Sequence, residues 1–105
     1  STAADLIRGR EKKPLLVVRT EELVSHAVDR MRTHKISQLP VIDSTGIVGS
    51  VNEDALFDSY VSDKNSAVRP IRELMNAPFP AVPLSMPTAE LMPLVSAHGA
   101  VLVQL

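Results

Sequence analysis

Two stretches of this chain repeat one another at a fixed spacing, and that repeat constrains the fold more than any other feature. Val18 has its counterpart at Val82 (82 − 18 = 64), Ala27 at Leu91, Met31 at Val95 and His34 at His98, each 64 residues on. The apolar run Leu39-Pro40-Val41 returns as Val101-Leu102-Val103 at a spacing of 62, so the second copy is two residues shorter before its last strand. Strand, helix and strand recur in the same order. Two copies are too few for a solenoid. The expectation is an α+β pair of small units whose sheets or helices bury one another about a pseudo-twofold axis. The second copy is truncated: no counterpart of Gly46–Tyr60 follows Leu105. Both ends of the chain read as cut from something longer.

Local patterns fill in each unit. Leu15-Leu16-Val17-Val18 is apolar and partly β-branched, which predicts a short buried strand. Thr20 is the expected N-cap of a following helix, with Glu21 and Glu22 at the positive end of its dipole. Val24, Ala27, Val28 and Met31 give that helix one apolar face, fading near His34. Leu39–Ile42 and Ile47–Val51 are strands joined by the turn residues Asp43-Ser44-Thr45-Gly46, a hairpin. Pro40 is expected at a strand start, where a missing N–H is tolerated. Asn52 is a good N-cap for a helix with Glu53 and Asp54 in its first turn, burying Ala55, Leu56 and Tyr60. After a polar connector, Ser62–Ala67, the residues Ile71, Leu74 and Met75 predict a short helix ending near Ala77, ahead of Pro78 and Pro80. Ala81-Val82 begins another strand. A second amphipathic helix runs from Ser85 or Thr88 to His98, with Pro93 expected to kink it. His34 and His98 share a helix-end position, where a cation suits the negative end of the dipole. Met31, Met75, Met86 and Met92 read as core or interface filler. The polar stretch before Leu15, with Arg8, Arg10, Lys12 and Lys13, reads as a solvated entry linker. The expected division is therefore a linker over 1–14, a first repeat over 15–67 and an incomplete second repeat over 68–105.

Composition removes several classes of function. A net charge of −1 lacks the basic field of nucleic-acid binders, and one Tyr with two Phe is too few for a base-stacking platform. No Cys is present, so disulfides, a thiolate nucleophile and a Cys-based zinc site are excluded, and a reducing cytoplasm is the expected compartment. No His/carboxylate cluster has metal-ligand spacing. No apolar run approaches a membrane span, and no signal peptide is visible. A nucleophile elbow, a Walker loop and a dinucleotide fingerprint are all missing, so a non-catalytic chain is expected.

The run Ile36-Ser37-Gln38-Leu39-Pro40-Val41-Ile42-Asp43, followed by Gly46-Ile47-Val48-Gly49, resembles the signature of tandem CBS domains, β-α-β-β-α units that pair into a sensing module. Gly49-Ser50-Val51-Asn52-Glu53, Pro78-Phe79-Pro80 and Ala100-Val101-Leu102-Val103 further resemble the C-terminal pair of bacterial pyridoxal-phosphate-dependent cystathionine β-synthases. The resemblance runs from about Asp5 to Leu105. It implies a regulatory module that binds AMP, ATP or S-adenosylmethionine in clefts drawing on both repeats and controls an attached enzyme carrying the pyridoxal phosphate. It implies a homodimer, while the composition argues against a nucleic-acid or membrane partner. Carried onto this sequence, one cleft uses Thr20, Ile36, Ser37, Gln38 and Leu39, its ribose motif lying beyond Leu105. The other uses Gly99 and Ala100 with Asn52, and there Ala55 stands where the family's ribose-binding Asp belongs. Two rival expectations are an assembly module that binds no ligand, and the same module attached to another enzyme or a transporter.

Overall fold

The computed structural model describes residues 1–8 and 16–104. Leu15 of the expected first strand and residues 9–14 of the expected linker lie outside them. The chain divides into two units, a larger one over Leu16–Pro78 and a smaller one that joins the N-terminal segment to the chain from Phe79 onward. Each is α+β.

In the larger unit, strand β1 (Val18–Arg19) runs parallel to β2 (Gln38–Asp43), and β3 (Gly46–Asn52) returns antiparallel on the far side of β2. Helix α2 (Val24–His34) and helix α3 (Glu53–Ser62) complete it. Val18, Val24, Ala27, Met31, Leu39, Val41, Val51, Leu56 and Ile71 form its buried core. Pro40 sits inside the central strand rather than at its start, and the ladder explains why this is tolerated. Its partner Ser50 gives its N–H to Asn76 O (3.0 Å) and takes the Asn76 N–H on its carbonyl (2.8 Å). Pro40 therefore occupies a position where β3 asks for no donor. The hairpin turn closes as its residues require: Asp43 Oδ1 accepts from the Thr45 N–H (2.7 Å) and hydroxyl (2.6 Å), and Gly46 takes a φ of +127°. Those bonds hold the Asp43 carboxyl below its ordinary pKa.

In the smaller unit, β4 (Ala81–Pro83) pairs parallel with β5 (Leu102–Gln104), and α1 (Ala3–Leu6) and α4 (Thr88–His98) pack beside them. Ala3, Val82 and Leu91 are buried there, with Met86, Leu94, Val95, Val101 and Val103 around them. The two strand registers reproduce both repeat spacings. Val18 faces Val41 and Val82 faces Val103, so the pair recurs at 64 on one strand and 62 on the other. Helix α4 runs through Pro93, which is exposed and has no N–H to give the Ala89 carbonyl.

Each unit is finished by the segment that precedes the other repeat. In the larger unit, Ile71 N–H donates to Glu22 O (2.8 Å), Arg72 N–H to Thr20 O (2.9 Å) and Val24 N–H to Arg69 O (3.0 Å). In the smaller unit, Ala3 N–H donates to Met86 O (2.9 Å), Ala4 N–H to Leu84 O (3.1 Å) and Thr88 N–H to Ser1 O (3.0 Å). These are the same three bonds, shifted by 64 on the body (22 to 86, 20 to 84, 24 to 88) and by 68 on the docking segment (71 to 3, 72 to 4, 69 to 1).

This exchange corrects several sequence expectations. Ser1–Arg8 is not a solvated linker: α1 forms a turn closed by Asp5 on the Thr2 N–H (2.9 Å) and buries Ala3. Residues 68–78 pack with the first repeat rather than the second, and the predicted helix there shrinks to a 3₁₀ turn, Ile71–Glu73, because Asn76 is drawn into a bridge with Ser50. Thr20 is not the cap of α2. That helix begins at Val24 behind Leu23, which offers no side-chain cap, and the Arg69 carbonyl takes the first N–H instead. In α3 only Leu56 is buried. Ala55 is partly covered and Tyr60 is 42 % exposed, because the helix presents its remaining apolar residues outward.

Candidate functional site

The predicted site residues of the larger unit fall into two places. Helix α2 ends with Lys35 in the left-handed region (φ 55°), and Ile36 N–H reaches back to Met31 O (2.9 Å), so the chain turns sharply out of the helix. Ser37 follows, exposed, and its carbonyl accepts the Glu53 N–H (2.9 Å). Gln38 then opens β2 directly opposite Asn52, the last residue of β3. Ile36, Ser37, Gln38 and Asn52 are thus gathered at one end of the sheet. Leu39 is fully buried, so its side chain belongs to the core and only its backbone can face a ligand. Thr20 is elsewhere. It follows β1 at the other end of β2, with its N–H on Ile42 O (3.1 Å) and its carbonyl taken by Arg72 (2.9 Å). Five residues of strand, about 16 Å, separate it from Gln38.

Two features give this sheet end its chemistry. Asn52 caps α3, its Oδ1 accepting the Ala55 N–H at 2.7 Å, so its carboxamide oxygen is committed to the helix while its NH₂ stays available. Gln38 is the opposite case. Its Oε1 is shut off from solvent and has no hydrogen-bond partner among the described residues. A buried acceptor left this way costs free energy, so it stands out as a group waiting for a donor.

Gly99 and Ala100 belong to the smaller unit. Gly99 terminates α4 in the left-handed region (φ 83°), the counterpart of Lys35 (99 − 35 = 64), and its N–H donates to Val95 O (2.7 Å). Its presence is explained by that cap alone.

Two features were not anticipated from sequence. The first is a clamp on the loop after β1: Arg30 makes a two-pronged contact with Glu22 (2.7 and 3.0 Å) and donates to Val17 O (2.8 Å), while Glu22 also accepts the Arg19 N–H (2.7 Å). The Arg30 hydrogen bonds hold the Glu22 carboxyl below its ordinary pKa, against the opposing effect of burial. A spacing of eight residues across a loop carries no sequence signal. The second is a groove of about 230 Å³ between α2 and α3, lined by Val24, Val28, Leu56, Phe57 and Tyr60, with Asp29 and Arg32 at its edge. Here a signal exists: apolar residues at 56, 57, 60 and 61 cover a wider arc of helix than one core face uses.

The family model for the CBS domain matches residues 3–62. The chain belongs to the CBS-domain family. No curated protein matches it in sequence. Among solved structures it is similar to a protein of Burkholderia ambifaria described as a signal-transduction protein with CBS domains, at 25% identity over 94% of this chain and 75% of that one (TM-score 0.82). A CBS-domain protein of Agrobacterium tumefaciens shares the fold at 18% identity, covering 99% and 80% of the two chains (TM-score 0.82). So does the CBS domain of a bacterial CNNM/CorC-family Mg²⁺ transporter solved in complex with ATP, at 18% identity over 99% and 75% (TM-score 0.73). The α+β CBS-domain fold expected from the sequence is therefore the one observed. Among the described residues no helix is long and apolar enough to cross a membrane.

Proposed function

We propose that this CBS module is a regulatory sensor that binds an adenosyl compound at the sheet end formed by Ile36, Ser37, Gln38 and Asn52. The observation that carries the reading is the unpartnered, buried Gln38 oxygen. Adenine offers an amino group beside a ring acceptor, and the Gln38 amide, once turned out of its enclosed position, would meet that pair with two hydrogen bonds. The ATP bound to the transporter's CBS domain supports the choice of ligand class. The exposed Ser37 and the Asn52 NH₂ supply further polar contacts, while Thr20, at the other end of β2, lies too far from Gln38 to join them. Ala55, in place of an acidic ribose anchor, argues for modest affinity at the cleft that uses Asn52. The stretches Gly49–Glu53, Pro78–Pro80 and Ala100–Val103 support a parent enzyme of the pyridoxal-phosphate-dependent cystathionine β-synthase kind, acting in the cytoplasm. Regulation then requires that ligand bind one state of the module better than another.

The deciding experiment is calorimetric titration with ATP, AMP and S-adenosylmethionine, on this chain and on Gln38→Leu. Saturable binding that weakens about tenfold or more in the variant supports the reading. Heat from none of the three ends it.

A second reading, assembly without ligand, rests on the groove between α2 and α3. Phe57 (56 % exposed) and Val61 (67 %) protrude beside an apolar cavity whose edge carries both an acid and a base. A second copy of the same face, rotated by a twofold, offers both the protrusion and the opposite charges. Sedimentation of the wild type against Phe57→Asp tests it: a dimer that becomes a monomer supports assembly, and a wild-type monomer at high concentration rejects it.

A further inference from the structure

The two docking segments make the same backbone bonds but are held by very different side chains. Around Ile71 the segment is anchored along its whole length. Ile71 is fully buried, and Leu74 and Met75 pack on the same core. Arg72 pairs with Glu21 (3.0 Å), Asn76 exchanges two bonds with Ser50, and the Ser50 hydroxyl donates to Ala77 O (2.7 Å). The loop that receives it, Thr20–Glu22, is itself fixed to α2 by Arg30.

Around Ala3 almost none of this exists. The buried anchor is a single methyl group, Leu6 is 43 % exposed, and the receiving loop ends in Met86, with Leu94 where the larger unit has Arg30 (94 − 30 = 64). The segment's polar side chains mostly serve itself: Asp5 accepts from the Thr2 N–H and pairs with Arg8 (3.1 Å). Apart from its backbone bonds, a hydroxyl contact from Ser1 to Thr88 (2.7 Å) is the polar tie to α4 among the described residues. Contacts internal to a segment survive its departure and do nothing to hold it.

We propose that Ser1–Leu6 is a releasable strap: it opens while the rest of the smaller unit stays folded, whereas the Ile71 segment leaves only when the larger unit unfolds. Opening removes the acceptor of the Thr88 N–H and uncovers Val82 and Leu91, so the state of the strap is felt at the start of α4. The inference does not depend on the adenosyl reading.

Native-state amide hydrogen exchange on the full chain, read residue by residue by NMR, tests it. The Leu102 N–H, bonded to Pro80 O at 2.8 Å, reports opening of the smaller unit, and the Thr20 N–H, bonded to Ile42 O, reports the larger. After correction for intrinsic rates, Ala3, Ala4 and Thr88 are expected to exchange at least about tenfold faster than Leu102, with Ile71 and Arg72 within about threefold of Thr20. Exchange of Ala3 and Ala4 in step with Leu102 overturns the proposal, as does equally early exchange of Ile71 and Arg72. Ile71→Ala reduces the second anchor to the size of the first. It is expected to raise Arg72 exchange at least about tenfold relative to Thr20, and no change would refute burial as the cause. If that variant fails to fold, the wild-type comparison alone decides.

Discussion

The larger and smaller units solve one docking problem with two kinds of side chain. Where the larger unit places Ile71, the smaller places Ala3; where the larger ties its receiving loop with Glu22 and Arg30, the smaller puts Met86 and Leu94. The backbone bonds are unchanged. Hydrogen bonding therefore sets where a segment docks, while burial and packing set how firmly. Burying an isoleucine side chain contributes roughly 1.5–3 kcal/mol, and a methyl group only about 0.8.

The comparison is most exposed to Ile71→Ala set beside Ala3→Gly. The first should destabilise the larger unit by about 2–5 kcal/mol, the second the smaller by about 1. Urea unfolding followed at Leu39 and Leu102 separates the two, and equal losses would break the contrast. Gly49→Ala comes next. An added Cβ would stand 2.6 Å from Met75 Sδ and 2.9 Å from Asn76 O. The sulfur can swing away, but the carbonyl is backbone already bonded to Ser50. A loss of about 1–3 kcal/mol is expected, with faster exchange of the Asn76 amide.

Arg30→Ala should cost about 1–2 kcal/mol, since it leaves Glu22 partly buried without its partner. The double change Glu22→Met with Arg30→Leu copies the smaller unit and should fall within about 1 kcal/mol of wild type. It should also remove a pH dependence. The Glu22 pKa is depressed on folding, so its contribution is complete above the unfolded value near 4.5 and disappears as pH falls through the lower folded value. Thermal melts between neutral pH and pH 3 should show a steeper acid loss in the wild type than in the double variant. Asn52→Ala is the smallest effect, about 1 kcal/mol for a lost cap. Its effect on ATP binding, measured separately, distinguishes a residue that only caps α3 from one that also touches ligand.

Legibility in the sequence followed the range of each interaction. The recurrence of strand, helix and strand was readable because the repeat keeps a fixed spacing, and the turn at Asp43–Gly46 because its chemistry is local. The cap of α2 was not, since the Arg69 carbonyl lies 45 residues beyond Val24 (69 − 24 = 45) and a carbonyl has no sequence signature. For the same reason Thr20, a good capping type, was assigned a role that a distant backbone group performs. The exchange of docking segments was hidden because Ser1–Leu6 and Arg69–Leu74 share bonds but only one aligned residue, Leu6 with Leu74. At the candidate site, Asn52 was expected in the cleft of Gly99 and Ala100, whereas the hairpin register sets it opposite Gln38. Thr20 lies away from both because β1 runs parallel to β2 and carries the chain to the opposite end.

The exchanged segments also set an order of events during synthesis. Ser1 emerges 87 residues ahead of Thr88, the residue it bonds to. At ribosomal speeds of about 5–20 residues per second it waits roughly 4–17 s for that partner. The larger unit needs nothing beyond Pro78 and can close in the meantime. Ser1–Leu6 is thus made before the larger unit and docked after it, an unspent latch in the meantime.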